Sequence, residues 1–285
     1  MKYSVFTVST PEFDFEETAR RLSELGYDGV EWRVGDPPPI QPPEHHNFEN
    51  RYWSFNKSTL DINYIERDAS IVKELCDHYG LEICSLSANY NPSKFEEVKS
   101  IIIAADKIGC RQIRLFGTFY DGTRNYNEML EDLIEDTKKL IPLSEEFNVK
   151  MIFEIHAGFI IPGASSAYRF ASHFDPKNVG IIYDAGNLIY EGLENPKMGL
   201  EILGPYLSHV HLKNAVWQDK STDCDGTRYF EPTSADMNKG YFDIKKLIQL
   251  LKEINYKGFL STEDFSLTKS TEQKLIDNIK FLRSI

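Results

Sequence analysis

Helix, cap, strand: this order recurs along the chain and narrows the folds open to it more than any other feature. An amphipathic segment ends at Gly or Asn, and a short apolar run follows. The instances are Gly26 before Val30-Glu31-Trp32, Gly80 before Ile83-Cys84-Ser85 and Gly109 before Ile113-Arg114-Leu115. Asn148 precedes Met151-Ile152-Phe153, and Asn255 precedes Phe259-Leu260-Ser261. Gly and Asn tolerate the left-handed backbone that closes a helix, so each marks a C-cap before a strand. The segments between them carry apolar residues at helical spacing. Thr18, Ala19, Leu22 and Leu25 share one face, as do Val72, Leu75 and Cys76, and Ile244, Leu247, Ile248 and Leu251. The strands are short and apolar, as expected when both faces of a parallel sheet are covered.

Eight strands are predicted, near residues 3–9, 28–33, 82–88, 112–117, 150–156, 179–184, 207–213 and 258–263, each followed by a helical segment. Alternation of this kind implies a parallel sheet with right-handed crossovers. Eight units close into a (β/α)8 TIM barrel, an α/β fold that commonly runs to ~250 residues. Residues 1–285 therefore read as one barrel domain. A doubly wound open sheet is the rival, but it would usually carry a Gly-rich phosphate loop after its first strand, and Val8-Ser9-Thr10-Pro11 has none. The longest break, at about 35–65, holds Pro37-Pro38-Pro39, Pro42-Pro43, His45-His46 and Arg51-Tyr52-Trp53. Its content suggests a lid over the barrel mouth, with a surface insertion as the alternative.

Strand ends carry the chemistry in such barrels, because the site forms where strands give way to βα loops. Four residues recur at equivalent points of the last four units: Glu154, Asp184, His211 and Glu263. An ionised carboxylate deep in an apolar strand is costly unless paired or metal-bound. Three of them converging on one mouth would repel each other, and a divalent cation removes that conflict. One His with three carboxylates is a hard, oxygen-rich set that suits Mn²⁺, Mg²⁺, Co²⁺ or Zn²⁺.

The formal net charge of −12 argues against a nucleic-acid partner, which would need Lys and Arg to neutralise phosphates. Cys76, Cys84, Cys110 and Cys224 form no CxxC pair; the first three lie in apolar runs and read as buried thiols in a reducing compartment. No leader-like or membrane-length apolar stretch is seen, so a cytoplasmic protein with no membrane contact is expected.

The motifs Phe153-Glu154-Ile155-His156, Asp184-Ala185-Gly186-Asn187 and His209-Val210-His211-Leu212-Lys213 are similar to those of the xylose-isomerase-like TIM barrels. So is the stretch from Gly240-Tyr241-Phe242-Asp243 to Tyr256-Lys257-Gly258 and Glu263. This family includes sugar-phosphate isomerases and epimerases, ketose 3-epimerases, inosose dehydratases and AP endonucleases. The resemblance implies one divalent ion held by Glu154, Asp184, His211 and Glu263, with Glu154 and Glu263 as acid/base pair. It makes a homodimer or homotetramer plausible. Two departures are visible. Asn187 stands where ketose 3-epimerases carry a His, and Trp217 where they carry an Arg. No His follows His211, which with the negative charge speaks against a DNA-repair site.

The implied activity is that of a sugar, sugar-phosphate or polyol isomerase or epimerase, in which one glutamate removes a proton and the other returns it through a metal-stabilised enediolate. A dehydratase of the inosose or dehydroshikimate type is the alternative on the same site, and a non-catalytic sugar-binding barrel a further one. For substrate contacts the sequence offers His156, Lys213 and His209, which share strand parity with the ligands, together with Asn187, Glu31 and Asn89. Arg33 also comes to the pocket end of its strand. Arg114 reads better as half of an ion pair, and Trp53 and Trp217 as rings that stack on a sugar or simply pack.

Overall fold

The computed structural model describes residues 1–285. The caps sit where the helices end. Gly26, Gly80 and Gly109 have φ of 81°, 71° and 77°, and Asn148 and Asn255 take the same left-handed region at 49° and 57°. Gly26 closes Phe15–Leu25, Gly80 closes Ile65–Tyr79 and Asn148 closes Tyr126–Phe147.

Eight parallel strands form the barrel: β1 Lys2–Phe6, β2 Gly29–Gly35, β3 Glu82–Ala88, β4 Gln112–Leu115, β5 Lys150–Glu154, β6 Val179–Asp184, β7 Leu207–Leu212 and β8 Phe259–Thr262. Each pairs with the next, and β1 pairs with both β2 and β8, so the sheet closes and leaves no barrel edge. The fold is the single-domain (β/α)8 barrel that the helix–strand alternation requires.

Strand alternation divides the side chains. Val30, Trp32, Leu86, Ile113, Phe153, Ile181 and Val210 point outward and join one cluster with the helices, including Leu22, Val72 and Leu247. The inner face is polar instead: Ser4, Glu31, Ser85, Ser87, Arg114, His209 and Ser261 are all buried. Barrels usually fill this space with branched apolar layers. Here polar side chains fill it, with Ser85, Ser87, Glu31 and His209 joined by hydrogen bonds.

Several strands are shorter than the sequence suggests. β1 ends at Phe6 and gives way to a 3₁₀ turn over Thr7–Ser9, and β4 and β5 end at Leu115 and Glu154. Buried apolar residues such as Val8 and Ile155 continue past the strand ends, so hydrophobicity alone does not mark the end.

Residues 35–65 are not a bare loop. They hold a short helix, Arg51–Ser54, and a two-residue strand, Leu60–Asp61, that pairs with β2. The Asn56 amide donates to the carbonyls of Thr7 and Val8 at 3.2 and 3.0 Å, and Lys274 Nζ donates to the Tyr52 hydroxyl at 2.6 Å. A second excursion follows β7. Asn214–Thr222 and Arg228–Ala235 form an antiparallel ribbon before the helix Ile244–Glu253, where the repeat alone suggests a direct return.

Candidate metal centre

Glu154 ends β5, Asp184 ends β6, His211 sits one residue from the end of β7 and Glu263 follows β8. One donor atom from each of the four lies within 4.8 Å of the other three. All four side chains are buried. Asp184 also caps the helix Ala185–Tyr190, its Oδ1 accepting from the Asn187 amide at 2.7 Å. That bond aims Oδ2 at the cage, where Lys213 Nζ stands 3.1 Å and His211 Nδ1 3.5 Å away. Three buried carboxylates and one imidazole facing a single point are a donor set that a divalent cation would hold together.

His211 is oriented from below. Its Nε2 is 3.1 Å from both oxygens of Glu31, and its Nδ1 is 3.2 Å from Glu154 Oε1 and 3.5 Å from Asp184 Oδ2. With Nε2–H donating to Glu31, Nδ1 is the atom free to bind a metal. Burial would lower the His211 pKa, but Glu31 and Glu154 together hold it well above the ordinary range. A bound cation would displace that proton. The donor set thus fits one hard or borderline divalent ion.

The two glutamates differ in their surroundings. Glu154 Oε2 is paired with Arg114, and its Oε1 accepts from Asn187 Nδ2 at 3.1 Å. Burial would raise the Glu154 pKa; Arg114, then His211 and Lys213, outweigh it and hold the group well below the usual carboxylate range. Arg114 is itself fixed, donating to Asn89 Oδ1 at 3.0 Å and lying 4.1 Å from the Phe116 ring centre. Glu263 touches only one cation, Lys213. Its burial raises its pKa by more than that ammonium pulls it back.

Lys213 reaches across the cage to Asp184 Oδ2 at 3.1 Å. Burial would lower its pKa, but Asp184, Glu263 and Glu154 keep it charged. The aliphatic stem lies along Gly186. A Cβ at that position would stand 2.2 Å from Lys213 Cγ, so Ala185-Gly186-Asn187 admits no larger residue in the middle without moving the lysine.

A cavity of about 320 Å³ opens above the cage. Among the residues offered by the sequence, His156, Asn187, Lys213, Asn89, Arg114, Glu263 and Trp53 line it. His156 lies beyond the end of β5, where its Nδ1 is 2.8 Å from the Ala157 carbonyl. A carbonyl only accepts, so Nδ1 carries the proton and Nε2 is an acceptor. Burial lowers its pKa.

Glu31 and His209 are corrections. Both face the lumen but are fully buried beneath His211 and do not reach the cavity. Glu31 accepts from His209 Nε2 at 2.9 Å and from Ser87 at 2.6 Å, so its carboxylate is taken up by the residues around it and does not face the cavity. Trp217 is held elsewhere by its bond to the Ile189 carbonyl at 3.1 Å. The close approach of Lys213 to Gly186 and the ribbon are not anticipated by the sequence. Asp225-Gly226 between β-rich stretches is a usable hairpin signal, and Gly226 does take φ of 84°.

Fold and cage define a TIM barrel with a metal-capable carboxylate–histidine site at its C-terminal mouth. Residues 19–285 match the xylose isomerase-like TIM barrel model. The chain belongs to that family. An inosose dehydratase of Clostridium perfringens is 24% identical over 276 residues, covering 84% of this chain and 89% of the relative. The apo crystal structure of 3-keto-D-glucoside 4-epimerase from E. coli superposes with a TM-score of 0.73 at 18% identity over all of both chains. The IOLI protein, solved with a bound zinc atom, gives 0.69 at 15% identity over 100% of this chain and 97% of that one.

Proposed function

We propose that this chain is a metal-dependent dehydratase. It removes the proton beside the carbonyl of a polyhydroxy ketone and expels a neighbouring hydroxyl as water. One observation carries the reading: of the two glutamates in the cage, only Glu263 lines the cavity, while the oxygens of Glu154 are engaged by Arg114 and Asn187. Exchange of a proton between opposite faces needs two free carriers. Elimination needs one base and one donor for the departing hydroxyl.

A divalent ion held by Glu154, Asp184, His211 and Glu263 would supply Lewis acidity toward the carbonyl oxygen. Glu263 takes the C–H proton. Lys213, in contact with Glu263 and lining the same cavity, gives a proton to the leaving hydroxyl and recovers it from Glu263. The substrate has then lost one proton and one hydroxide, and the protein is unchanged. His156 Nε2 and Asn187 Oδ1 accept from the remaining hydroxyls, since both protons of Asn187 Nδ2 are taken by Glu154 Oε1 and the Ile155 carbonyl. Trp53, whose ring centre lies 5.3 Å from that of Phe265 with the planes inclined at 44°, brings the insertion at 35–65 over the cavity as a cover that excludes water. The inosose dehydratase relative supports this outcome.

Epimerisation is the second reading, favoured by the presence of two glutamates in one cage and by the epimerase among the structural neighbours. Keto-polyols incubated in D₂O with the metal-loaded protein separate the two. An ultraviolet-absorbing enone is expected. Deuterated, epimerised ketone without enone would replace the lyase reading, and no exchange with any ketone would end both. Glu263→Gln should abolish exchange, a loss on the order of 10²–10⁴-fold. Glu154→Gln should chiefly weaken metal binding.

A further inference from the structure

We propose that the cleft has a second compartment that holds a ring-bearing substituent of the substrate, so that the enzyme works on a glycoside or similarly ring-substituted polyol. This rests on the reading of the mouth cavity as the substrate site. A neighbouring cavity of about 510 Å³ is lined by Asn89 and Phe116, which also line the metal-side cavity, so the two compartments share a wall and open side by side. The metal-side space alone is at the small end of the ~300–1,000 Å³ usual for ligand sites.

The floor of the second compartment is aromatic and held in place. The loops after β4 and β5 are stitched together, Ile160 N donating to Thr118 O and Tyr120 N to Gly158 O, both at 2.9 Å. The rings of Phe116 and Phe159 lie 4.9 Å apart, and Phe119 meets Phe159 edge-on at 5.6 Å. Gly158, at φ of 77°, lets the Phe119 ring lie 3.4 Å from where a Cβ would stand. Phe119 is nonetheless 60% exposed. A large ring fixed on a stitched loop and open to a cavity beside the cage is a platform for the apolar face of another ring.

The rim sets the polarity of the substituent. Asp132 and Asp136 line the compartment, and its guanidinium, on Arg124, is already bound to Asp132 at 2.8 Å. Carboxylates accept from sugar hydroxyls and repel phosphate, which calls for unpaired cations. The compartment therefore suits a neutral glycosyl or aryl group and disfavours a sugar phosphate.

Saturation-transfer NMR on the zinc-loaded protein, with phenyl β-D-glucoside, glucose and glucose 6-phosphate as probes, tests this. We expect transfer to the phenyl ring, with phenyl glucoside binding more tightly than either other probe. Phe119→Ala, at an exposed position, should weaken phenyl glucoside roughly threefold to tenfold and leave glucose unchanged. Absence of transfer to the phenyl ring, equal affinity for glucose, tighter binding of the phosphate, or an unaffected Phe119→Ala would each overturn the proposal. Enone formation from an unsubstituted ketone in the same preparation would show that only the second compartment had failed.

Discussion

Both carboxylate oxygens of Glu31 lie 3.1 Å from Nε2 of His211, on the side of the ring away from Glu154 and Asp184. Glu31 is fully buried and also binds His209, so it fixes the imidazole plane and its tautomer with no contribution from solvent. Replacing such an orienting carboxylate typically costs 10–100-fold in metal affinity. Glu31→Gln should therefore weaken zinc or manganese binding by about that factor, read by calorimetry. Unchanged affinity in a folded variant would mean that His211 needs no support from below.

The Arg114–Glu154 pair gives a stability prediction. Both side chains are nearly inaccessible, at 3% and 0% exposure. Breaking a buried pair by removing one partner costs about 3–5 kcal/mol, because the other charge is stranded. Arg114→Met should lower the metal-free protein's unfolding free energy, extrapolated from urea melts, by about that amount, and saturating metal should restore part of it by neutralising Glu154. A variant as stable as the parent would show that His211 and Lys213 suffice to hold Glu154 ionised.

Gly186 should be intolerant out of proportion to its size. An added methyl group meets the stem of Lys213, not a flexible tip. Overpacking of this kind costs about 1–3 kcal/mol, and relief requires the lysine to move. Gly186→Ala should fold with a lowered melting temperature and, on the dehydratase proposal, lose activity while retaining the parent's metal content. Full activity would show that Lys213 has no fixed role.

Alkaline pH should destabilise the fold through its thiols. Burial raises the Cys76 pKa to about 12 and that of Cys110 to about 11, and lifts Cys84 as well. An unfolded thiol titrates near ~8.5. Between those values the folded chain holds protons that the unfolded chain has lost. Stability therefore falls as pH rises, by about 1.4 kcal/mol per pH unit for each group. Lys274 acts in the opposite sense, since burial lowers it to about 8 and its unfolded form keeps its proton longer. Three thiols outweigh one amine, so urea midpoints in reductant should drop from pH 8.5 to 10.5, and Cys110→Ala should flatten the slope. A midpoint that rises over this range would overturn the assignment.

Much of this architecture is legible in the sequence because the two strongest local signals, αL caps and strand-end carboxylates, repeat with the unit. Asn148 and Asn255 cap helices for the same reason as Gly26. Glu154, Asp184, His211 and Glu263 stand out because charge in an apolar strand is conspicuous. Depth is what the sequence hides. Parity turns Glu31 and His209 toward the lumen, but their height in the barrel depends on the stagger between strands, which no local pattern encodes. Partners of Arg114 and Lys213 are equally non-local, arising only when strands far apart in sequence close on one another.

Barrel closure has a consequence for biosynthesis. The first strand finds its second neighbour only when β8 arrives, and the cage with its support draws on residues from Glu31 to Glu263. Contacts of such long sequence separation form late and slowly. The four residues of the cage are thus not assembled on the nascent chain until nearly all of it has left the ribosome, and any ion that needs all four would report a completed ring.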